Sequence, residues 1–129
     1  MRVLITGGAG FLGTRLARRL LDAAHSVGGS APREVDELVL LDPSPPAEDV
    51  AADPRVRPVV AEIAAGLAGA GHVDAMFHLA GVVSGQAESD FDLGLRTNLD
   101  GTRAVLEWAR GHRVPPEIGR ASCRERVCY

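Results

Sequence analysis

The sequence predicts an α/β domain built on a doubly wound parallel sheet, truncated after about four strands. Three observations carry that expectation. Four short apolar runs recur along the chain, separated by segments of helical period or turn-rich composition. The first run is apolar on both faces, as a strand buried from both sides must be. A glycine-rich stretch, Thr6-Gly7-Gly8-Ala9-Gly10-Phe11-Leu12-Gly13, joins that run directly to a helical pattern. Strands alternating with helices through short connections imply parallel pairing and right-handed crossovers.

Taken in order, residues 2–6 form the first strand and 11–23 the first helix. Leu12, Leu16, Leu20 and Ala23 are its expected buried stripe, with Arg15, Arg18, Arg19 and Asp22 toward water. Residues 25–36 are polar, contain Gly28, Gly29 and Pro32, and read as a loop. The second strand covers 37–41 and ends at Asp42, followed by a turn-rich stretch to Asp53 with Pro43, Pro45 and Pro46. Residues 56–60 make a third strand, in which Pro58 points to an edge position. A short helix is expected over 63–70, weakened by Gly66 and Gly69. Residues 75–79 form the fourth strand and 80–88 a loop. A long helix should then run to Arg110, with Ser89 or Asp90 as its N-cap. Phe91, Leu95, Leu99, Leu106 and Ala109 can share its inner face, while Gly94 and Gly101 permit close packing. Gly111 stops the helix, and the expected fifth strand does not follow Val114-Pro115-Pro116.

At 129 residues the chain has room for one domain. No apolar run is long enough to span a membrane, and the first strand begins within two residues of Met1, which leaves no space for a signal peptide. A cytoplasmic setting is the default expectation. A net charge of −3 gives no sign of a nucleic-acid surface. All 14 basic residues are arginine, so the chain has no lysine. The last thirteen residues, 117–129, have neither strand nor helix period. They resemble the read-through translation of a common short-read sequencing adapter. Residues 1–116 are therefore taken as the domain and 117–129 as a non-native tail. Cys123 and Cys128 fall inside that tail and are not read as a metal pair, a redox motif or a disulfide. No metal site is expected.

The glycine stretch carries chemistry as well as fold. A strand must hand over to a helix within a few residues while a pyrophosphate lies against the backbone, which calls for Gly8 and Gly10 in the loop and Gly13 where helix meets strand. The helix then directs its free N–H groups and positive end at the phosphates. Asp42, at the carboxyl end of the second strand, can accept both hydroxyl hydrogens of an adenosine ribose and would repel a 2′-phosphate. Pro43 and Ser44 follow it rather than an arginine, which favours NAD over NADP. Two readings stand for Glu62-Ile63: contact with the adenine, or the start of a helix. The small residues of Leu79-Ala80-Gly81 suit a cofactor passing over the strand tips. His78 is either a core histidine with a hydrogen-bond partner or, less simply, a base.

Together the Thr6–Gly13 stretch, Asp42, His78-Leu79-Ala80-Gly81 and Asn98 resemble the extended short-chain dehydrogenase/reductase family, the NAD-dependent epimerase/dehydratase group. The resemblance implies a Rossmann-type sheet. It also implies pyrophosphate binding by Gly7, Gly10, Phe11, Leu12 and Gly13, ribose binding by Asp42, and cofactor contacts from Glu62, Ile63, Leu79, Ala80, Gly81 and Asn98. Glu62 stands where family members usually carry aspartate. A finer likeness over residues 82–94 and 98–103 is to the dehydrogenases of D-erythronate, a four-carbon sugar acid, and nucleotide-sugar epimerases share much of that stretch. Ser84, Gly85 and Gln86 would then face substrate, a sugar acid or a nucleotide sugar; a plain loop is the other reading. The resemblance implies pairing of the parent protein as a homodimer through the helix at 90–110 and the helix that follows it in the family.

The family transfers protons with a serine or threonine, a tyrosine, and a lysine four residues after that tyrosine. This chain has no lysine, and its single tyrosine is Tyr129 in the foreign-looking tail. No catalytic residue is assigned, and the chain is expected to bind cofactor without turning over substrate. The implied parent activity is hydride transfer from a sugar acid to NAD. A nucleotide-sugar 4-epimerase or dehydratase, and a non-catalytic NAD-binding regulatory module, are the alternatives.

Overall fold

A computed structural model of the chain describes residues 1–26 and 30–112, together with the backbone of 118–120; the side chains of Ser84 and Gln86 lie outside that description. Gly28, Gly29, Val114, Pro115, Pro116 and most of the 117–129 tail, including both cysteines and Tyr129, also lie outside it.

Strand β1 (Arg2–Thr6) occupies the centre of a parallel sheet of order β3-β2-β1-β4-β5. Its neighbours are β2 (Glu37–Asp42) and β4 (Ala75–His78). Strand β3 (Val56–Val60) lies outside β2, so Pro58 is on an edge strand as its missing N–H requires. Alternation along β1 and β2 divides the core in two. Val3, Ile5, Leu38 and Leu40 pack with Ala17, Leu20, Val35 and Val50 on one face. Leu4, Val39 and Leu41 pack with Ile63, Leu67, Val73, Met76 and Val105 on the other. Both faces of the sheet are covered, which is the doubly wound arrangement.

Four expectations are corrected. Helix α1 (Phe11–Asp22) buries Gly13, Ala17 and Leu20, whereas Leu12 and Ala23 are exposed and Leu16 is half-buried. Contact between Gly13 and the preceding turn sets the rotation of the helix, so the buried stripe starts one residue later than the leucines suggest. The turn-rich stretch after β2 contains a helical turn, α2 (Glu48–Ala51), whose Val50 is buried. After α3 (Ile63–Leu67) and β4, the segment expected as a loop forms α4 (Ser84–Ser89). Last, β5 (Ile118–Arg120) follows where no strand was expected and pairs in parallel with β4. Backbone pairing needs no particular side chains, and β4 offers a free row of N–H and C=O groups there.

The long helix is also different in detail. Asp90 caps it, its side chain accepting from the Leu93 N–H at 2.9 Å. From there α5 (Phe91–Gly94) runs into a π-helical segment (Leu95–Asp100) and then α6 (Gly101–Gly111). The residues facing inward are small: Gly94, Gly101, Val105 and Ala109 are buried. A β-carbon on Gly101 would lie 2.6 Å from the Ile63 Cδ1, so the helix packs too closely for large residues on that face. Of the predicted inner face, Ala109 is buried, while Phe91 is 70% and Leu99 61% exposed, with Leu95 and Leu106 beside them on the outer surface.

Among the described residues, several carboxylate–arginine pairs lie at the amino-terminal ends of the strands. Arg2 and Arg57 hold the Glu37 carboxyl below its usual range, and the Arg2 backbone N–H does the same for Asp74. At the carboxyl-terminal ends, where ligands bind in open parallel sheets, Asp42 and Glu62 are the carboxylates, and neither has an arginine partner among the described ion pairs.

Candidate functional site: a nucleotide cleft at the strand tips

A cleft of about 360 Å³ opens over the carboxyl ends of β1, β2 and β4, lined by Gly7, Gly10, Asp42, Pro43, Glu62, Ile63, Leu79, Ala80, Gly81, Val82, Leu93 and Thr97. Eight residues predicted from sequence meet there: Gly7, Gly10, Asp42, Glu62, Ile63, Leu79, Ala80 and Gly81.

Gly7 makes the turn with a φ of +74°, and a β-carbon on it would lie 2.7 Å from the Ala80 N. The left-handed position is therefore Gly7 rather than Gly8. The turn is closed by the Gly7 N–H donating to the Leu41 carbonyl at 2.8 Å and the Gly10 N–H to the Gly7 carbonyl at 3.1 Å. Gly10 is the N-cap of α1 and no side chain caps this end, so the helix presents N–H groups and its positive pole beside the cleft. A β-carbon on Gly13 would lie 2.1 Å from the Gly7 carbonyl oxygen, which places its backbone directly on the turn. Gly13 therefore supports the cleft from behind.

Opposite the turn, the Asp42 carboxylate is held by two backbone donors. Its Oδ2 accepts from the Ala9 N–H at 3.2 Å and its Oδ1 from the Ser44 N–H at 2.9 Å. That fixes an anionic acceptor at the mouth of an otherwise uncharged turn. Glu62 stands at the N-cap of α3 without capping it by side chain, and it lines the cleft beside Ile63.

Besides Gly13, three predicted cofactor residues are not on the cleft wall. Phe11 is 75% exposed with the Arg15 guanidinium 5.5 Å from its ring centre, Leu12 is exposed beside it, and Asn98 lies behind the wall. Asn98 acts through Val82: its Oδ1 accepts from the Val82 N–H at 2.8 Å and its Nδ2 donates to the Val82 carbonyl at 2.9 Å. Ser84, Gly85 and Gln86 are on α4 rather than in a loop, and Gly85 is exposed. Val82, Leu93 and Thr97 were missed. Leu93 and Thr97 are four residues apart in the helix and so share a face, a spacing that could have been paired with the inward-facing Gly101.

A glycine turn, an uncapped helix end and a fixed carboxylate on one cleft form a cradle for a nucleotide diphosphate. The family model for the NAD dependent epimerase/dehydratase family matches residues 3–123. The chain belongs to that family. It is 51% identical over 120 residues to a D-erythronate dehydrogenase from Cupriavidus necator, an overlap covering 88% of this chain and 36% of that protein. It is similar to a nucleoside-diphosphate-sugar epimerase from Agrobacterium tumefaciens, with a TM-score of 0.73 and 35% identity over 95% of this chain and 37% of that one. It is also similar to a mutant uronate dehydrogenase from Agrobacterium tumefaciens complexed with NAD, with a TM-score of 0.67 and 31% identity over 94% of this chain and 40% of that one. The chain thus spans little more than a third of the length of the relatives it matches. An α/β fold with a parallel sheet is common to these structures and to this family member.

A larger groove, about 670 Å³, runs along the outer face of the long helix and includes Phe91, Leu95, Leu99 and Leu106. It lacks a glycine turn, and its one lining carboxylate, Glu107, is paired with Arg103, so size alone does not make it the nucleotide site. No helix among the described residues is long and apolar enough to cross a membrane.

Proposed function

We propose that the chain is the ADP-binding front part of an oxidoreductase that moves a hydride from a sugar acid of the D-erythronate type to NAD. The observation that carries this reading is the meeting of Gly7, Gly10 and Asp42 on one cleft. Its residues fit the cofactor: the turn leaves no room for a β-carbon at Gly7, and the α1 end offers N–H donors to a pyrophosphate. Asp42 accepts from the ribose hydroxyls and, being anionic, disfavours a 2′-phosphate. Glu62 and Ile63 meet the adenine, while Leu79, Ala80 and Gly81 pass the cofactor across the β4 tip. Phe11 and Leu12 border the pyrophosphate, and Asn98 holds Val82 in the wall. Bound NAD supplies the hydride acceptor. Calorimetric titration of the chain with NADH and NADPH tests the reading: NADH binds, NADPH binds much more weakly, and absence of NADH binding removes the proposal.

The sugar-acid substrate rests on the likeness to D-erythronate dehydrogenase, and Ser84, Gly85 and Gln86 are its proposed contacts. A nucleotide-sugar epimerase is the second reading, favoured by the epimerase among the similar structures. Comparing D-erythronate with UDP-sugars on a gene product that includes Tyr-x-x-x-Lys separates the two. We also propose that residues 117–129 are not native to the gene, which resequencing past codon 116 tests. The exposed row Phe91, Leu95, Leu99 and Leu106 supports a homodimer through the long helix, and the same reading carries a cytoplasmic setting.

A further inference from the structure

His78 lies beneath the cleft wall, 2% exposed, and its two ring nitrogens meet two threonines. Nδ1 is 2.6 Å from the Thr6 Oγ1, and Nε2 is 3.0 Å from the Thr102 Oγ1. The hydrogens in this chain can be assigned from its ends. Thr102 donates its hydroxyl hydrogen to the Asn98 carbonyl at 2.7 Å, and a carbonyl only accepts. Thr102 must therefore accept from His78, so Nε2 carries a hydrogen. In a neutral ring Nδ1 is then bare, and Thr6 donates to it. The Thr6 oxygen in turn accepts from the Ala80 N–H at 3.4 Å. Each of these four bonds then has one hydrogen. With the proton on Nδ1 instead, two lone pairs would face each other between Nε2 and Thr102. With both nitrogens protonated, Thr6 would accept from His78 and Ala80 on its two lone pairs and its own hydrogen would leave this chain of bonds, and the nitrogen-15 spectrum of the ring separates that state from the neutral one.

Both ends of the chain reach the cleft. Ala80 lines it, and Asn98 clamps Val82, which lines it too. Thr102 sits where the π-helical segment returns to α6, and its bond to the Asn98 carbonyl spans that junction. Taking the cleft as the NAD site proposed above, we propose that His78 is a positioning residue. It is held as the neutral Nε2–H tautomer and, through Thr6 and Thr102, sets the spacing between the β4 tip and the Asn98 clamp, and so the affinity for the cofactor. His78 itself touches no cofactor.

The test joins a spectroscopic signature to a rescue. Nitrogen-15 spectra of the chain, with the His78→Asn variant used to assign the signal among four histidines, should show His78 neutral at pH 7 with its proton on Nε2. Thr102→Val leaves that N–H without its acceptor and should weaken NADH binding about tenfold. Thr102→Ser, which restores the hydroxyl, should bind within about twofold of the parent chain. A proton on Nδ1, or a charged ring at pH 7, overturns the assignment even if Thr102→Val does not fold. NADH binding by the parent chain that Thr102→Val leaves unchanged overturns the positioning role alone. Failure of the parent chain to bind NADH overturns the cofactor reading and the positioning role with it, whatever the ring spectrum shows.

Discussion

A β-carbon added to Gly13 would lie 2.1 Å from the carbonyl oxygen of Gly7, well inside van der Waals contact, and 2.8 Å from the Gly8 Cα. Neither partner is a flexible side chain. Gly13→Ala should therefore destabilise the fold by about 2–3 kcal/mol, the upper range of overpacking costs, read from denaturant midpoints. Gly10→Ala provides the contrast, because its β-carbon meets only the Gly7 carbonyl oxygen, at 3.3 Å. That variant should keep most of its stability and lose NADH affinity, since the methyl group would stand in the proposed path of the pyrophosphate.

Asp42 is held between the Ala9 and Ser44 N–H groups, so its carboxylate is oriented before any ligand arrives. Asp42→Asn removes the charge and retains one acceptor oxygen. NADH binding should weaken by about tenfold, and the preference over NADPH should shrink because the repulsion of a 2′-phosphate is gone. Paired titrations with the two cofactors measure both effects; an unchanged ratio would mean that Asp42 does not read the ribose.

Phe91, Leu95, Leu99 and Leu106 are exposed together on the outer face of one helix. Their burial against a second copy predicts concentration-dependent association in sedimentation equilibrium. Leu99→Glu with Leu106→Glu should give monomers with the far-ultraviolet spectrum of the parent, because neither side chain is in the core. A parent chain that is monomeric at every concentration would sink the proposed dimer.

Acid should unfold the chain through its pinned carboxylates. Arg2 and Arg57 hold Glu37 low, and Arg55 holds Asp53 down to about 2. Both groups bind protons more readily unfolded, so their stabilisation is complete above about pH 4–5 and is lost as pH falls toward 2. Glu37→Gln should lower stability at pH 7 by about 1 kcal/mol, because the exchange leaves Arg2 and Arg57 together without their shared carboxylate. Its melting temperature should also fall less steeply between pH 5 and pH 2, which a series of thermal melts will show.

Much of the architecture was legible in the order of the residues. The bounds of β1 and β3 agree with those expected, and β2 and β4 differ by one residue at their carboxyl ends. A parallel strand covered on both faces is written as an unbroken apolar run, which few other elements produce. The turn was legible for a related reason: a strand-to-helix handover in a few residues tolerates little besides glycine. Asp42, at the end of its strand, could be placed on the cleft from position alone.

Helix rotation was not legible. Large apolar residues in the long helix looked like an inner face, yet close packing of Gly101 on Ile63 selects small residues there and turns the leucines outward. Which helix face is buried depends on the distance to the neighbouring element, and no periodicity encodes that distance. Nor could spacing show that Thr6, His78, Thr102 and Asn98, up to 96 positions apart, share one hydrogen-bonded chain. Local sequence by itself determined the strands and the glycine bend, because each follows from backbone sterics or from the order of apolar residues. Only tertiary packing decided how the helices turn and which polar groups complete one another, since those depend on contacts between segments remote in the chain.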